Sequence, residues 1–185
     1  VNIQSSDSEL LISNLSIVTT AQVKIPSIRE ETGTFLNLEN IGRSGNTSLS
    51  SNRGIVLNNV TLQGDANGIN SAGNIIIISP EQVILNNSQI SSNTTSSGAA
   101  GNIVINTPNL VLSETTRISA STSGSGIAGD ITFNITDTLT IDNSTVASRT
   151  TLGSGGRGGN INVFYAGATN LVNGSSLSLN SDGHG

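Results

Sequence analysis

Hydrophobic and polar residues alternate along most of this chain, and the alternation restarts at regularly spaced glycines. Gly45, Gly73, Gly101 and Gly129 are evenly spaced, and Gly159 follows after a slightly longer interval. With each glycine counted as position one, apolar residues recur at positions three and five. A period of two is typical of a strand with one buried face. Position three holds Thr47, Ile75, Ile103, Ile131 and Ile161, and position five holds Leu49, Ile77, Ile105, Phe133 and Val163.

Two further short strands are predicted in each copy of the repeat. The second strand carries Leu57, Leu85, Ile141 and Val172, and the third carries Ile17, Leu62, Ile90, Ile118, Val146 and Leu177. Since one copy cannot bury its apolar face alone, the copies must stack as coils of a solenoid, about 4.8 Å apart. The pattern predicts an all-β fold, a parallel β-helix of five to six coils of about 28 residues with three short strands each.

We interpret residues 1–185 as a single β-helix segment. The repeats are 45–72, 73–100, 101–128, 129–158 and 159–185, and residues 1–20 form a partial first coil without its glycine. Segment 21–44 does not fit the repeat, since it contains Pro26 and the densest charge of the chain. We expect an irregular insertion there that projects from the first coil as a hairpin. It serves either as a binding element or as a solvated excursion.

Two columns of polar residues are predicted to form structural ladders along the stack. Asn and Gly both tolerate positive φ, so a tight corner that recurs in every coil would select them. Stacked Asn amides can also hydrogen-bond along a column. Thr115 interrupts the second column, and we expect a locally different corner there. The first column is Asn46, Asn74, Asn102, Asp130 and Asn160, and the second, between the second and third strands, is Asn14, Asn59, Asn87, Asn143 and Gly174.

Composition narrows the class of protein further. Only 10% of the residues are charged, 2% are aromatic and the net charge is −5. The scattered Lys and Arg residues form no basic patch, so neither nucleic acid nor an anionic membrane surface is expected as a partner. The absence of Cys excludes disulfides and thiolate metal sites. No apolar run reaches the length of a transmembrane segment.

The phrase GNIVINTPNLVLSETTRISASTSGSGIAG, residues 101–129, resembles the repeats of filamentous-haemagglutinin-like exoproteins, especially the large cyanobacterial ones. The resemblance covers about residues 45–185 and, more weakly, 1–20, and its most specific features are the repeated GN openings and the STSGSGIAG loop. It implies that the β-helix is right-handed. It also implies two-partner secretion through an outer-membrane β-barrel transporter, a secreted or cell-surface location, and adhesion to surface glycans or to other cells.

Candidate catalytic residues are few. Asp137 and Asp142 belong to one copy of the repeat, and the repeat spacing predicts that Glu114 stacks beneath Asp142. Paired carboxylates can act as acid and base or bind Ca²⁺, but turn carboxylates more often point into water. His184, the single histidine, is expected to be exposed and inert.

The leading interpretation is therefore a structural and adhesive repeat segment, not an enzyme, with no cofactor and no metal site. One alternative is a carbohydrate-active β-helix enzyme, either a polysaccharide lyase or a glycosidase, that uses Asp137, Asp142 and Glu114. A weaker alternative is an ice- or surface-binding solenoid, because Thr94, Thr122 and Thr150 form a column.

Overall fold

A computed structural model describes residues 2–5, 10–13, 16–18, 35–36, 45–151, 155–165 and 167–181. Within these ranges the chain consists of strands, turns and loops, with no helix. Coil 1 contains β1 (Asn2–Ser5), β2 (Leu10–Ser13) and β3 (Ser16–Val18), and β4 (Phe35–Leu36) follows it. Coil 2 (45–72) contains β5 (Thr47–Ser51), β6 (Ile55–Asn58) and β7 (Thr61–Gln63), and coil 3 (73–100) contains β8 (Ile75–Ile78), β9 (Gln82–Asn86) and β10 (Gln89–Ser91).

Longer strands mark the next two coils. Coil 4 (101–128) contains β11 (Ile103–Ser113) and β12 (Arg117–Ser119), and coil 5 (129–158) contains β13 (Ile131–Asp142) and β14 (Thr145–Thr150). Coil 6, which begins at residue 159, contains β15 (Ile161–Tyr165), β16 (Ala168–Val172) and β17 (Ser176–Ser181). Strands β11 and β13 each combine the first two strands of their coil, so the prediction of three short strands is wrong for coils 4 and 5.

All strand pairs described are parallel, and all of them join successive coils except the pair of β3 with β4. A ten-stranded sheet covers the first and second faces, because β11 pairs with β8 along one half and with β9 along the other. A seven-stranded sheet, in the order β17-β14-β12-β10-β7-β3-β4, forms the third face. On the first face each residue pairs with the residue at the equivalent position in the next copy of the repeat, as Ile75 pairs with Ile103. This arrangement confirms the predicted parallel β-solenoid.

The interior of the solenoid consists of aliphatic columns. On the first face Ile103 pairs with Ile131, and Ile131 pairs with Ile161. The side chains of Ile103 and Ile131 are fully buried, and Phe133 is the largest fully buried side chain described. Burial of an aliphatic or Phe side chain contributes roughly 1.5–3 kcal/mol, so the columns stabilise every coil that has a neighbour on each side.

The second face departs from the uniform repeat. The register shifts between Thr107 and Asn109, so that Leu112 pairs with both Leu85 and Ile141. In coil 6, Leu171 pairs with Ile141, and Val172 pairs with Asp142. The sequence pattern placed Val172 in the apolar column and omitted Leu112. That assignment was wrong because coil 4 is one residue shorter before this strand and one residue longer after it, and coil 6 is one residue longer after it.

The glycines that open coils 4, 5 and 6 are required by the stacking. A Cβ atom on Gly101 would lie closer than 3.0 Å to the carbonyl oxygen of Gly73, and one on Gly129 or Gly159 would meet the preceding glycine's carbonyl equally closely. Real Cβ atoms essentially never approach so closely. The glycine column therefore reflects contact between backbones of successive coils, a use of glycine that does not depend on positive φ.

The two ends of the stack differ. Of segment 21–44, only Phe35 and Leu36 are described, and they pair with β3 on the side away from β7, with Leu36 beside Ile17. These two residues extend the third face, and the predicted hairpin otherwise lies outside the described residues. In coil 6, the inward-facing Leu171 and Leu177 are 44% and 39% exposed, because no described residue stacks on them.

Candidate functional site

The corner between the second and third strands, hereafter the second corner, contains the non-glycine residues with positive φ that the described part of the chain has. Asn59, Asn87 and Asn143 each adopt positive φ, at 55°, 45° and 45°. Asn tolerates this region better than most residues. Coil 4 instead places Glu114 and Thr115 there, with φ of 54° and 69°. The second corner of coil 4 thus contains one more residue, which offsets the register shift earlier in the same coil.

Coil 6 has a second corner like that of coil 4. Asn173 and Gly174 both have positive φ, at 53° and 76°, so Asn173 shares the corner role predicted for Gly174 alone. The Asn173 Nδ2 atom donates to Oδ1 of Asp142 at 2.6 Å. Asn14, the first member of the predicted column, lies outside the described residues.

A buried row of hydroxyl groups supports the second corner from inside. The Thr116 hydroxyl lies 2.7 and 2.9 Å from the carbonyl oxygens of Ser113 and Leu85, either of which can accept its single proton, and it accepts from the backbone N–H of Ser88 at 3.2 Å. The Ser88 hydroxyl in turn accepts from the backbone N–H of Val60 at 3.1 Å. Because each hydroxyl joins two coils, the corner positions are fixed relative to one another. Ser144 and Ser175 continue the row in coils 5 and 6, whereas the equivalent position in coil 2 is Val60, which has no hydroxyl.

On the outer side of the second corner, side-chain amides form a ladder. The Asn87 Nδ2 atom donates to Oδ1 of Asn59 at 2.7 Å. The Thr115 hydroxyl donates to Oδ1 of Asn87 at 3.0 Å. All three side chains are exposed. An amide NH₂ group carries two donors, so Asn87 keeps one N–H available to a ligand after joining the ladder.

A polar groove of about 380 Å³ runs beside this ladder, and it is the candidate functional site. Its lining combines the second corner with outward side chains of the third face. Arg117 and Gln89 are exposed, while Thr61 is half-buried. Direct pairing of Thr61 with Gln89 and of Gln89 with Arg117 places these three side chains in one row. The lining residues are Asn59, Thr61, Asn87, Ser88, Gln89, Thr115 and Arg117.

The groove contains a single cationic side chain. Among the residues that the structure describes, the one ion pair joins Arg53 to Glu81 at 3.3 Å, so no carboxylate forms an ion pair with Arg117. The neighbours of Arg117 along its row are Gln89 and Thr145, both uncharged. The groove can therefore offer a guanidinium, amides and hydroxyls to a ligand, and it offers no acid.

The first polar column bonds mainly from side chain to backbone, and a side-chain bond of the expected kind is found only where Asn160 Nδ2 donates to Oδ1 of Asp130 at 3.1 Å, among the described residues. The Oδ1 atoms of Asn46, Asn74 and Asn102 accept backbone N–H groups of the next coil, at 2.9, 2.8 and 2.8 Å. Asp130 does the same to the N–H of Asn160 at 2.7 Å. No member has positive φ among the described residues. These side chains hold backbones together and do not form a tight corner, so the positive-φ explanation is wrong for this column.

The three carboxylates proposed for catalysis do not form a unit. The register places Leu112 beside Ile141, so Ser113, not Glu114, continues in line with Asp142. Asp137 lies on the same strand as Asp142, up to roughly 16 Å away at about 3.3 Å per residue. No hydrogen bond found among the described residues joins any two of the three side chains, whereas Asp142 accepts from Asn173.

Other residues selected from the sequence also have structural environments. Thr94, Thr122 and Thr150 are at most 3% exposed and bridge successive coils, so they cannot present a surface to ice. His184 lies outside the described residues. Across the described ranges, no group of three or more His, Asp or Glu side chains is arranged to hold a metal ion. The same part of the chain has no helix long and apolar enough to cross a membrane.

Sequence reasoning did not identify the groove. Thr61, Gln89 and Arg117 do recur once per repeat on the outer side of the third strand, and that polar row was available as a signal. Its proximity to the Asn ladder, however, depends on how sharply the chain turns at the second corner. Comparison with protein-family models, with curated proteins and with solved structures finds no match to this chain.

Proposed function

We propose that this chain is a structural and adhesive segment of a secreted, cell-surface exoprotein. It serves as a rigid spacer whose lateral surface contacts glycans or other cells. The observation that carries the proposal is repetition: the same aliphatic columns, glycine contacts and side-chain ladders recur from coil to coil. In such a solenoid each coil is fixed to its neighbours, so equivalent surfaces are presented at regular intervals along the axis.

Rigidity follows from bonding in the axial direction. Strand pairing joins each coil to the next on all three faces, and side chains such as Asn74 and Asn102 add bonds between coils. At about 4.8 Å per coil, the stack extends roughly 25 Å. A rod that holds its length in this way can keep a binding surface at a fixed distance from its point of attachment.

The lateral surface suits weak, repeated contacts. Its outward side chains are mainly Asn, Ser, Thr and Gln, which both donate and accept hydrogen bonds. Polar contacts that are individually weak become strong when many act together on one surface. This property supports adhesion better than turnover of a single substrate.

Secretion and the transporter partner rest on the resemblance of residues 101–129 to filamentous-haemagglutinin-like repeats. The proposal is that an outer-membrane β-barrel transporter of a two-partner system carries the chain out of the cell. The composition suits this route, because a chain without Cys needs no oxidation to fold outside.

An enzymatic function has less support. General acid–base catalysis requires two groups within reach of the same reacting bond. Asp137 and Asp142 face outward at opposite ends of one strand segment, and Asp142 is bonded to Asn173. We therefore propose no catalytic residues.

Antibodies against the chain provide the first test. They should label intact, unpermeabilised cells that produce the protein, and beads coated with the chain should adhere to glycan-bearing surfaces more than beads coated with albumin. Labelling only after permeabilisation would contradict the proposed location. Adhesion no greater than that of the albumin beads would contradict the adhesive role.

A further inference from the structure

We propose that the groove at the second corner binds a saccharide that carries a carboxylate. The carboxylate lies on the Arg117 guanidinium, and the ring hydroxyls bond to the amides of Asn59, Asn87 and Gln89. This inference rests on the proposed adhesive function and specifies the chemistry of one of its contacts.

The size and shape of the groove suit a short saccharide. Its volume of about 380 Å³ falls within the range of roughly 300–1,000 Å³ that is typical of small-molecule sites. The lining comes from coils 2, 3 and 4, so the groove extends along the axis of the solenoid. A linear chain of sugars can lie along it and contact equivalent positions in successive coils.

The chemistry of the lining selects a hydroxylated ligand. Every lining residue has a hydrogen-bonding side chain, and none is aromatic or aliphatic. Aromatic stacking is the usual way in which a protein holds unpaired bases, so a nucleotide is disfavoured. Asn and Gln amides pair a donor with an acceptor, and sugar hydroxyls can satisfy both.

Arg117 specifies the anionic group. Its guanidinium is exposed, and among the described residues it forms no ion pair. A guanidinium binds a carboxylate through two parallel hydrogen bonds, which gives both affinity and direction. The uncharged neighbours Gln89 and Thr145 leave that position open to a ligand's carboxylate.

The second corner fixes the amides before a ligand arrives. Asn59 and Asn87 have positive φ, their side chains are joined at 2.7 Å, and the hydroxyl of Ser88 bonds the backbone beneath them. A site whose side chains are already ordered loses less conformational entropy on binding. The extra residue in the coil 4 corner places Thr115 against Asn87 and completes this side of the groove.

Titration of the full chain with a tetrasaccharide of galacturonate, followed by calorimetry, tests the proposal. We expect saturable binding that weakens by about tenfold or more in Arg117→Gln, because the charge-assisted bonds are lost. Asn59→Gly, which keeps the corner backbone but removes an amide, should also weaken binding. Arg149→Gln removes an exposed cation of the neighbouring strand outside the groove and is the matched control. It should bind as the unchanged chain does.

Galactose tetrasaccharide, the uncharged counterpart, should bind at least about tenfold more weakly than the galacturonate probe. Equal binding of both probes would overturn the assignment of the carboxylate to Arg117. Equal losses in Arg117→Gln and Arg149→Gln would show that general charge, not the groove, attracts the probe. If coated beads adhere but the galacturonate probe does not bind, this inference fails and the adhesive function stands.

Discussion

Gly129 lies so close to the carbonyl oxygen of Gly101 that even a methyl side chain at position 129 would overlap that oxygen. The obstacle is backbone of the preceding coil, which cannot rotate away as a flexible side chain could. The same relationship joins Gly101 to Gly73 and Gly159 to Gly129. The need for glycine at these positions thus follows from the short distance between the backbones of successive coils.

Gly129→Ala should lower the free energy of unfolding by about 2–3 kcal/mol, the upper part of the range for overpacking. The added methyl group must push coils 4 and 5 apart or distort both. Thermal and denaturant unfolding of the purified chain would measure the loss.

Gly68→Ala is the matched control, because nothing lies within 4 Å of a Cβ at that position and φ is not positive. Its effect should stay within about 0.5 kcal/mol. A neutral Gly129→Ala would show that the coils are not stacked as closely as described.

Ile131→Ala should cost about 2–5 kcal/mol, because this side chain is fully buried in the middle of its column. Leu177→Ala, at the exposed end of the stack, should cost clearly less, since Leu177 is 39% exposed. Denaturant unfolding of the two variants under the same conditions provides the comparison. Equal losses would contradict the burial difference between the middle and the end of the solenoid.

Asn87→Ala should cost about 1–2 kcal/mol, from the left-handed backbone conformation and from the lost ladder bonds. Asn87→Gly removes the same bonds but relieves the backbone, so it should cost less than Asn87→Ala. The difference in unfolding midpoint between the two variants isolates the backbone contribution. If Asn87→Gly were the less stable of the two, positive φ at this corner would not be the reason for its Asn.

Thr116→Val should cost about 1–3 kcal/mol, although the two side chains have nearly the same shape. The hydroxyl is fully buried and accepts the backbone N–H of Ser88, which the methyl group would leave unpaired, and its own proton bonds a carbonyl oxygen of Leu85 or Ser113. Thr132→Val, on the outer face of β13, is the control and should change stability little. The two unfolding curves, measured side by side, would show whether the hydroxyl row stabilises the second corner.

The first and third faces were predictable because their strands keep a constant spacing. Ile75, Ile103 and Ile131 recur once per repeat and pair as expected, as do Ile90 and Ile118. The second face was predicted less well, because coil 4 is one residue shorter before Leu112 and one residue longer after it. A fixed period cannot detect two changes that cancel within one repeat.

The candidate site, like the fold, was predictable from the sequence only in part. The sequence identified Asn59 and Asn87 as members of a column, but it placed Glu114 directly beneath Asp142, and the register offsets the two by one residue. Arg117 was not predicted as a binding residue, because the residues that line the groove with it belong to three different coils. Distances between residues of different coils depend on the corners, which short-range patterns do not describe.

The sequence by itself determined the period, the strand-forming segments, the apolar columns and the class of fold. It did so because the side-chain period of two and the nearly constant coil length both follow directly from the order of the residues. Only the tertiary structure decided the register at the second face, the role of Gly101, Gly129 and Gly159 as backbone contacts and the groove beside Arg117. These features arise where separate coils meet, and the sequence does not fix how closely the stacked backbones approach.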